Sequence, residues 1–350
     1  MADKPLAGVA VLDFSELAPG PFMTQCLADL GATVTKIERP PHGDSARTLQ
    51  PGGFRVMNLG KTSRFADLQD PLQKAAIVEL AATAQLLVEG FRPGVMKRLG
   101  LDYEALRESN PALVYVSITG YGQAGALASR PGHDINYLAT SGITSLAGGS
   151  GQPPKDAMGV PMGDFCASLY AVSTALAALM QARATGRGQH LDVSIVDCLM
   201  HWMNVRLGHF QHAGIEGLAA QRDDVFNKPA YGIFATRDHA YVAIAALENH
   251  FWERLREALQ LELGDIDQDT HAKRLLHAAQ INAVIAAAVS VLTADDIVER
   301  LTLADVPASR VVEPDELLDS THAIGRDLVG TAGDLRYVRF PVKMQGGVGD

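Results

Sequence analysis

The sequence predicts an α/β fold: an open, mainly parallel, Rossmann-like sheet in a large domain, with a smaller α+β domain behind it. Three observations lead there. Short β-branched runs alternate with stretches of helical spacing through the first half of the chain. The helical stretches open on proline or close on glycine. Near residue 220 the texture changes to a hairpin-like pair of runs followed by several helices.

GVAVLDF (8–14) reads as a buried strand, PFMTQCLADLG (21–31) as a helix ended by Gly31, and ATVTKIE (32–38) as a second strand. Strand, helix and strand in so short a span make a βαβ unit with parallel strands. KAAIVELAATA (74–84) is helical and QLLVEGF (85–91) a strand. PGVMKRLGL and YEALRESN are helical, and LVYVSITGYG (113–122) is the next strand. ASLYAVSTALAALMQARATG (167–186) is a long Ala-rich helix stopped by Gly186, and HLDVSIVD (190–197) a strand that runs into another helix. YGIFAT and YVAIAAL (within 231–247) form a hairpin, and helices follow from HFWERLREALQ to about residue 303. The expected division is a large domain, 1–205, rejoined by the short strand-like pieces of 312–350. A small domain covers 225–305, with linkers at 206–224 and 306–311.

The chain has 350 residues, 47% of them apolar and 20% charged, enough for a sizeable core. A net charge of −10 argues against nucleic acid as the main partner but leaves room for one anionic ligand in a local basic pocket. The three cysteines, Cys26, Cys166 and Cys198, lie far apart with no CxxC spacing, so neither a disulfide framework nor a zinc knuckle is expected. The N-terminal run has no signal-peptide anatomy, and no stretch of about 18 apolar residues is seen. The expectation is a cytoplasmic enzyme without a membrane span.

Two nucleotide-binding patterns fail on context. GYGQAG (120–125) follows a strand, but Pro131 cuts short any helix, and the acidic residue expected further on is missing. NLGKTS (58–63) has Arg55 where a P-loop needs its first glycine. No histidine pair has HExxH spacing, and no metal site is expected.

GHDINY (132–137) and GVPMGDF (159–165) hold the acid–base chemistry. Asp134 and Asp164 each stand where an aspartate caps a helix. His133 is either a polar loop residue or a base that titrates near neutrality. From the residues alone both readings stand.

Combined with LAGVAVLDFSELAPGPFMTQCLADLGATVTKIERP, VEGFRPGVMKRLGLDYEAL, PALVYVSITGYGQAG, GRGQHLDVSIVD and ADVPASRVVEPDELL, these stretches resemble the family III CoA-transferases (CaiB/BaiF). Within that superfamily the chain is similar to the α-methylacyl-CoA racemases. The resemblance spans nearly the whole chain, and APGPF, FRPGV and GHDINY are specific in combination.

The resemblance implies an interlocked homodimer that acts on an acyl-CoA, with no cofactor beyond the coenzyme A of its substrate. Its sites lie between the large domain and the partner's small domain. It implies a His and an Asp, here His133 and Asp164, that move the α-proton of a thioester, with Glu248 of AALEN orienting the histidine ring. It further implies Arg39 on a phosphate, Ala66, Asp67, Leu68 and Gln69 at the adenine end, and Lys61 and Arg98 as further contacts. Gly132, Asp134, Ile135, Asn136 and Tyr137 border the coenzyme. GHDINY leans towards racemisation of a 2-methylacyl-CoA through an enolate; the alternatives are CoA transfer with Asp164 as nucleophile, and CoA binding without catalysis.

The chemistry is consistent with the first reading. Inversion needs an acid and a base on opposite faces of a planar enolate. Burial would raise the Asp164 pKa, and N–H groups at a helix N-terminus would steady the enolate oxygen. The sequence departs from the family where Leu59, Thr62 and Gln69 replace basic residues, and where Cys166, Ala167 and Ser168 stand for glycines after the aspartate.

Overall fold

The β-branched runs become strands of one parallel sheet in a computed structural model of the chain, which describes residues 4–148, 151–155 and 159–344. The strands are β1 (Ala10–Asp13), β2 (Thr33–Glu38), β3 (Thr62–Phe65), β4 (Leu86–Glu89), β5 (Val114–Thr119) and β6 (His190–Ser194), in the order β3-β2-β1-β4-β5-β6. All five pairings are parallel. Side chains alternate between two cores. Val11, Leu86, Val88, Val114 and Val116 face a layer that contains Met23, Leu27, Ala171 and Ala175. Leu12, Leu87 and Tyr115 face a layer built on Ile77, Met96, Leu101 and Leu106. Burial on both faces explains why these strands read as continuous apolar runs.

This is the Rossmann strand order, and its direction reverses between β1 and β4. Ligands of open α/β sheets bind beyond the strand carboxyl ends at such a switch point. Here those ends are Asp13 and Glu89.

The helix expected over 167–186 begins earlier and spans Met162–Thr185, closed by Gly186 at φ 69°. Asp164 is therefore its third residue rather than a residue before it. By length and composition this helix is apolar enough to cross a membrane. It nevertheless packs on β5, β6 and the helix Pro19–Asp29, with Ala167, Ala171, Ala175 and Ala178 buried. β3 was not expected from the sequence. Its four residues are all exposed on a sheet edge, so no burial pattern marks them.

The chain divides into two compact units, Met1–Ser145 with Lys155–His209 and His322–Asp350, and Leu146–Pro154 with Phe210–Thr321. In the second, β7 (Tyr231–Ala235), β8 (Tyr241–Ala245) and β9 (Ala308–Arg310) form an antiparallel sheet. Phe234, Val242 and Ile244 pack there with Trp252, Leu255, Ile281, Ile285, Ile297 and Leu301 from helices. The stretches read as linkers carry regular structure instead. Residues 206–224 hold the end of the helix Ile195–Ala213 and most of Leu218–Phe226, and 306–311 contain β9. The first of these helices shows mostly exposed side chains after Met200, so it lacks the buried stripe by which sequence reveals a helix. Of the expected 312–350 segment, β10 (Val329–Ala332) and β11 (Leu335–Val338) form a hairpin. Arg55 of the first unit holds its turn through Ala332 O (3.0 Å) and Asp334 Oδ1 (2.6 Å). Residues 345–350 of that segment lie outside the described residues.

Candidate active site

Beyond β1, the chain turns sharply at Leu17, whose φ of 64° is a left-handed value that leucine adopts at a cost of about 1–2 kcal/mol. Buried charges hold the turn. Asp44 Oδ1 accepts the Leu17 N–H at 3.0 Å, and Asp44 Oδ2 pairs with Lys36 Nζ at 2.9 Å. Lys36 Nζ also donates to Ser15 O at 2.6 Å. Asp13 accepts from the hydroxyls of Ser15 and Thr24 and from Lys61 Nζ. Burial alone would raise the Asp13 pKa, but the Lys36 and Lys61 ammoniums and the two hydroxyls hold it at about 2.

Beyond β4, Glu89 Oε2 accepts the Phe91 N–H at 2.7 Å and shapes the Gly90–Pro93 turn. Burial pushes the Glu89 carboxyl up to about 7, against hydrogen bonds from Ser117 and Phe91. These two turns, the end of β5 and the GHDINY helix enclose a cavity of about 460 Å³. His133 and Asp164 both line it.

The GHDINY helix spans Asp134–Thr140 with His133 as its exposed N-cap, and Asn136 Oδ1 accepts the His133 N–H at 3.0 Å. His133, Asn136 and Tyr137, spaced at i, i+3 and i+4, share the face towards the cavity, and Gly132 joins them. Ile135 is not part of that lining and is 44% exposed.

Asp134 does not line it either. Its Oδ1 accepts the N–H groups of Gly163 (2.7 Å) and Asp164 (3.1 Å), so it caps the long helix from a different element. Gly163 permits this approach, since a Cβ there would lie 2.9 Å from Asp134 Oδ1. Those two N–H groups are therefore spent on a cap, which corrects the expectation that N–H groups at this helix N-terminus steady an enolate oxygen.

Asp164 is half-buried, and burial first, then the Asp134 carboxylate, pushes its carboxyl up to about 7. It has no ion-pair partner among the described residues. Cys166, Ala167 and Ser168 are buried and are not part of the cavity wall, so this departure from the family does not narrow the site.

Tyr137 lies against two glycines. A Cβ on Gly120 would sit 2.3 Å, and one on Gly132 2.6 Å, from its ring, and its hydroxyl donates to Gly132 O at 2.6 Å. Gly120→Ala is expected to displace the ring and cost about 1–3 kcal/mol of stability, measured by urea unfolding. Wild-type stability in that variant would contradict the packing described.

A second cavity, of about 290 Å³, is lined by Arg39, Ala66, Asp67, Leu68 and Gln69. Glu16 and Phe91 line both this cavity and the first, so the two meet at those side chains. A third basin shares Arg39, Asp67 and Gln69 with the second and adds Pro40, Pro41, His42 and Gly43. The series makes an elongated path from His133 and Asp164 to Arg39. Arg98 is exposed on the helix Val95–Leu99, whose Val95 and Leu99 line the second cavity.

Lys61 does not reach this path. Its side chain is 1% exposed, and its ammonium donates to Asp13 Oδ2, Pro21 O, Thr24 Oγ1 and Asn58 Oδ1. A lysine with four protein acceptors has no donor left for a phosphate. Burial lowers its pKa to about 8 against the pull of Asp13.

Glu248 belongs to the second unit, as the exposed N-cap of the helix Asn249–Leu259. Buried Arg274 holds the residues on either side of it, donating to Leu247 O (3.0 Å) and Asn249 Oδ1 (2.9 Å). Glu16, Leu17, Arg92 and Arg130 also line the first cavity and were not singled out from sequence. Arg92 lay in a quoted motif, whereas the left-handed turn that presents Glu16 has no local signal, such as a glycine at Leu17.

A Rossmann-ordered sheet with a half-buried aspartate at one end of an elongated path describes an α/β enzyme for a long, coenzyme-linked substrate. The chain belongs to CoA-transferase family III, matching it over residues 6–349. It is 30% identical to acetyl-CoA:oxalate CoA-transferase of Acetobacter aceti, over 98% of this chain and 90% of that one. It is 33% identical to human α-methylacyl-CoA racemase, over 75% of this chain and 66% of that one. A CAIB/BAIF family protein from Brucella suis superposes with a TM-score of 0.88 at 28% identity, covering 99% of this chain and 94% of that one. The expected lean towards the racemase is thus not selective, because a transferase matches at similar identity along more of the chain. Members of this family act on CoA thioesters without a further cofactor.

Proposed function

We propose that the chain is a CoA-transferase that moves coenzyme A between carboxylic acids, with Asp164 as nucleophile. The observation that carries this reading is the Asp164 carboxyl, half-buried, free of any cation partner among the described residues, and lining the cavity at one end of the path. A carboxylate with a raised pKa is a better nucleophile and is still about half ionised near pH 7. The similarity to a CoA-transferase along 98% of the chain supports the same reading.

In the proposed cycle an Asp164 oxygen attacks the thioester carbonyl carbon. The C–S bond breaks, which leaves an acyl–aspartyl anhydride and the CoA thiolate. The thiolate attacks the Asp164 carbonyl, releases the donor acid and forms an aspartyl–CoA thioester. The acceptor carboxylate repeats these steps in reverse and departs as acyl-CoA, returning Asp164. Arg39 and the Ala66–Gln69 stretch would hold the nucleotide end, where a guanidinium meets phosphate.

Racemisation of a 2-methylacyl-CoA is the second reading, favoured by His133 lining the same cavity as Asp164. In that reaction the two would exchange the α-proton, with Glu248 orienting the imidazole. We further propose a homodimer. Met200 and Leu207 on one side of the helix Ile195–Ala213, and Trp202 and Val205 on the other, are exposed, and a second copy would cover them.

One experiment separates the readings. The protein is incubated in deuterated water with an enantiopure 2-methylacyl-CoA, then with an ¹⁸O-labelled carboxylic acid. Transfer is expected only after the acid is added, with ¹⁸O appearing in Asp164. Deuterium at the α-carbon before the acid is added, lost in His133→Ala, would establish racemisation instead. Silence throughout would leave a CoA-binding protein.

A further inference from the structure

We propose that Thr119 is a catalytic residue whose hydroxyl donates to the thioester carbonyl oxygen of the bound acyl-CoA. The inference rests on the reading that an acyl-CoA lies with its thioester beside Asp164. It goes beyond that reading by naming the group that polarises the carbonyl.

Thr119 is the last residue of β5, at the carboxyl end of the sheet, and lines the cavity that holds His133 and Asp164. It is 8% exposed, and its Oγ1 is buried with no hydrogen-bond partner among the described residues. An unpaired buried hydroxyl is unfavourable to the fold, and native structures hold few of them. One that stands on a cavity wall is accounted for by a partner that arrives with the substrate. The backbone here is fixed. Thr119 stands opposite Ser194 in the β5–β6 pairing, and the carbonyl of Gly120, the next residue, accepts the Val196 N–H at 3.1 Å. The side chain is not held in the same way. No hydrogen bond fixes Oγ1, and a step of about 120° about χ1 exchanges hydroxyl and methyl between staggered positions.

The chemistry calls for such a donor. When Asp164 attacks, the carbonyl oxygen takes on negative charge, and a donor aimed at it lowers the barrier. Other donors of the site are committed or wet. The N–H groups of Gly163 and Asp164 are held by Asp134 Oδ1 at 2.7 and 3.1 Å. The Tyr137 hydroxyl donates to Gly132 O at 2.6 Å. His133, Asn136, Arg92 and Arg130 are exposed, so water competes for their N–H groups. Among the described residues of the wall, Thr119 is the buried side-chain donor whose hydrogen is uncommitted.

Thr119→Val keeps the shape of the side chain and removes the hydroxyl, whereas Thr119→Ser keeps the hydroxyl. In Thr119→Val kcat is expected to fall about 10²-fold with little change in KM for the acyl-CoA, and Thr119→Ser should recover most of the loss. Urea unfolding separates this from a structural role. Removal of an unpaired hydroxyl should leave Thr119→Val at least as stable as the wild type. The carbonyl stretch of ¹³C-labelled acetyl-CoA, bound to protein carrying Asp164→Asn so that no transfer occurs, reads the contact without turnover. It is expected at lower frequency with Thr119 present than with Thr119→Val added. Equal frequencies, or a Thr119→Val that is less stable at unchanged kcat, would overturn the proposal. A frequency difference of the expected sign, in a protein that transfers no CoA, would sink the transfer reading alone. Transfer at an unchanged rate in Thr119→Val would sink the role of Thr119 alone.

Discussion

Asp164→Asn is expected to lower CoA transfer by at least about 10³-fold, because the amide keeps the shape of the carboxyl but lacks its nucleophilic oxygen. The wild-type rate should fall tenfold per pH unit below about 7, where Asp164 takes up its proton, and level off above it. Stability carries the opposite sign. The folded-state pKa is raised above the ordinary 3.8 to about 7, so between these values the folded chain holds a proton that the unfolded chain has released. The contribution to stability is complete below about pH 4 and is lost as pH rises through 7. Asp164→Asn should therefore be more stable than the wild type above pH 7, by about 1–2 kcal/mol after allowance for solvent screening of a half-buried group. Thermal unfolding across pH 4–8 reads this difference. A variant that kept its turnover, or matched the wild-type stability profile, would remove Asp164 from the role assigned to it.

Lys61→Met is expected to cost about 3 kcal/mol of stability, because it leaves the buried Asp13 carboxylate with Lys36 as its remaining cation. Asp13 is held at about 2 against an ordinary 3.8, so its contribution is present above about pH 4 and is lost as pH falls towards 2. Removing the Lys61 ammonium raises the Asp13 pKa, and acid unfolding should begin at a higher pH. Asp13→Asn combined with Lys61→Met should cost less than the sum of the two. Urea and acid titrations measure both effects. If Lys61 instead served a phosphate of coenzyme A, Lys61→Met would weaken CoA binding and leave stability near wild type.

The two aspartates show how far the linear chain can be read. Asp164 was recognisable as a candidate because it precedes an Ala-rich helical run, and Asp134 because it opens another. Helix-cap pattern alone does not say which one faces substrate; the family resemblance picks Asp164. Both fit the pattern of a helix cap, and only the fold shows that Asp134 caps the helix of Asp164 while Asp164 lines the cavity. Lys61 and Arg92 reverse the expected order. A lysine after a glycine turn looks free for phosphate but is enclosed by Asp13, Thr24 and Asn58. Arg92, inside a motif read for its proline and glycine, is the one that lines the cavity.

By itself the sequence determined the alternation of strands and helices, the parallel sheet and the family, and it nominated His133 and Asp164, which line one cavity. These rest on local periodicity and short motifs, which a linear chain displays directly. The tertiary structure alone decided the strand order with its switch point between β1 and β4, the cap that one aspartate gives another helix, the sequestering of Lys61 and the placing of Arg92 and Arg130 on the cavity wall. Each depends on which polar group meets which across long sequence separations. Desolvation and charge pairing act between neighbours in space, and the folding of the chain chooses those neighbours.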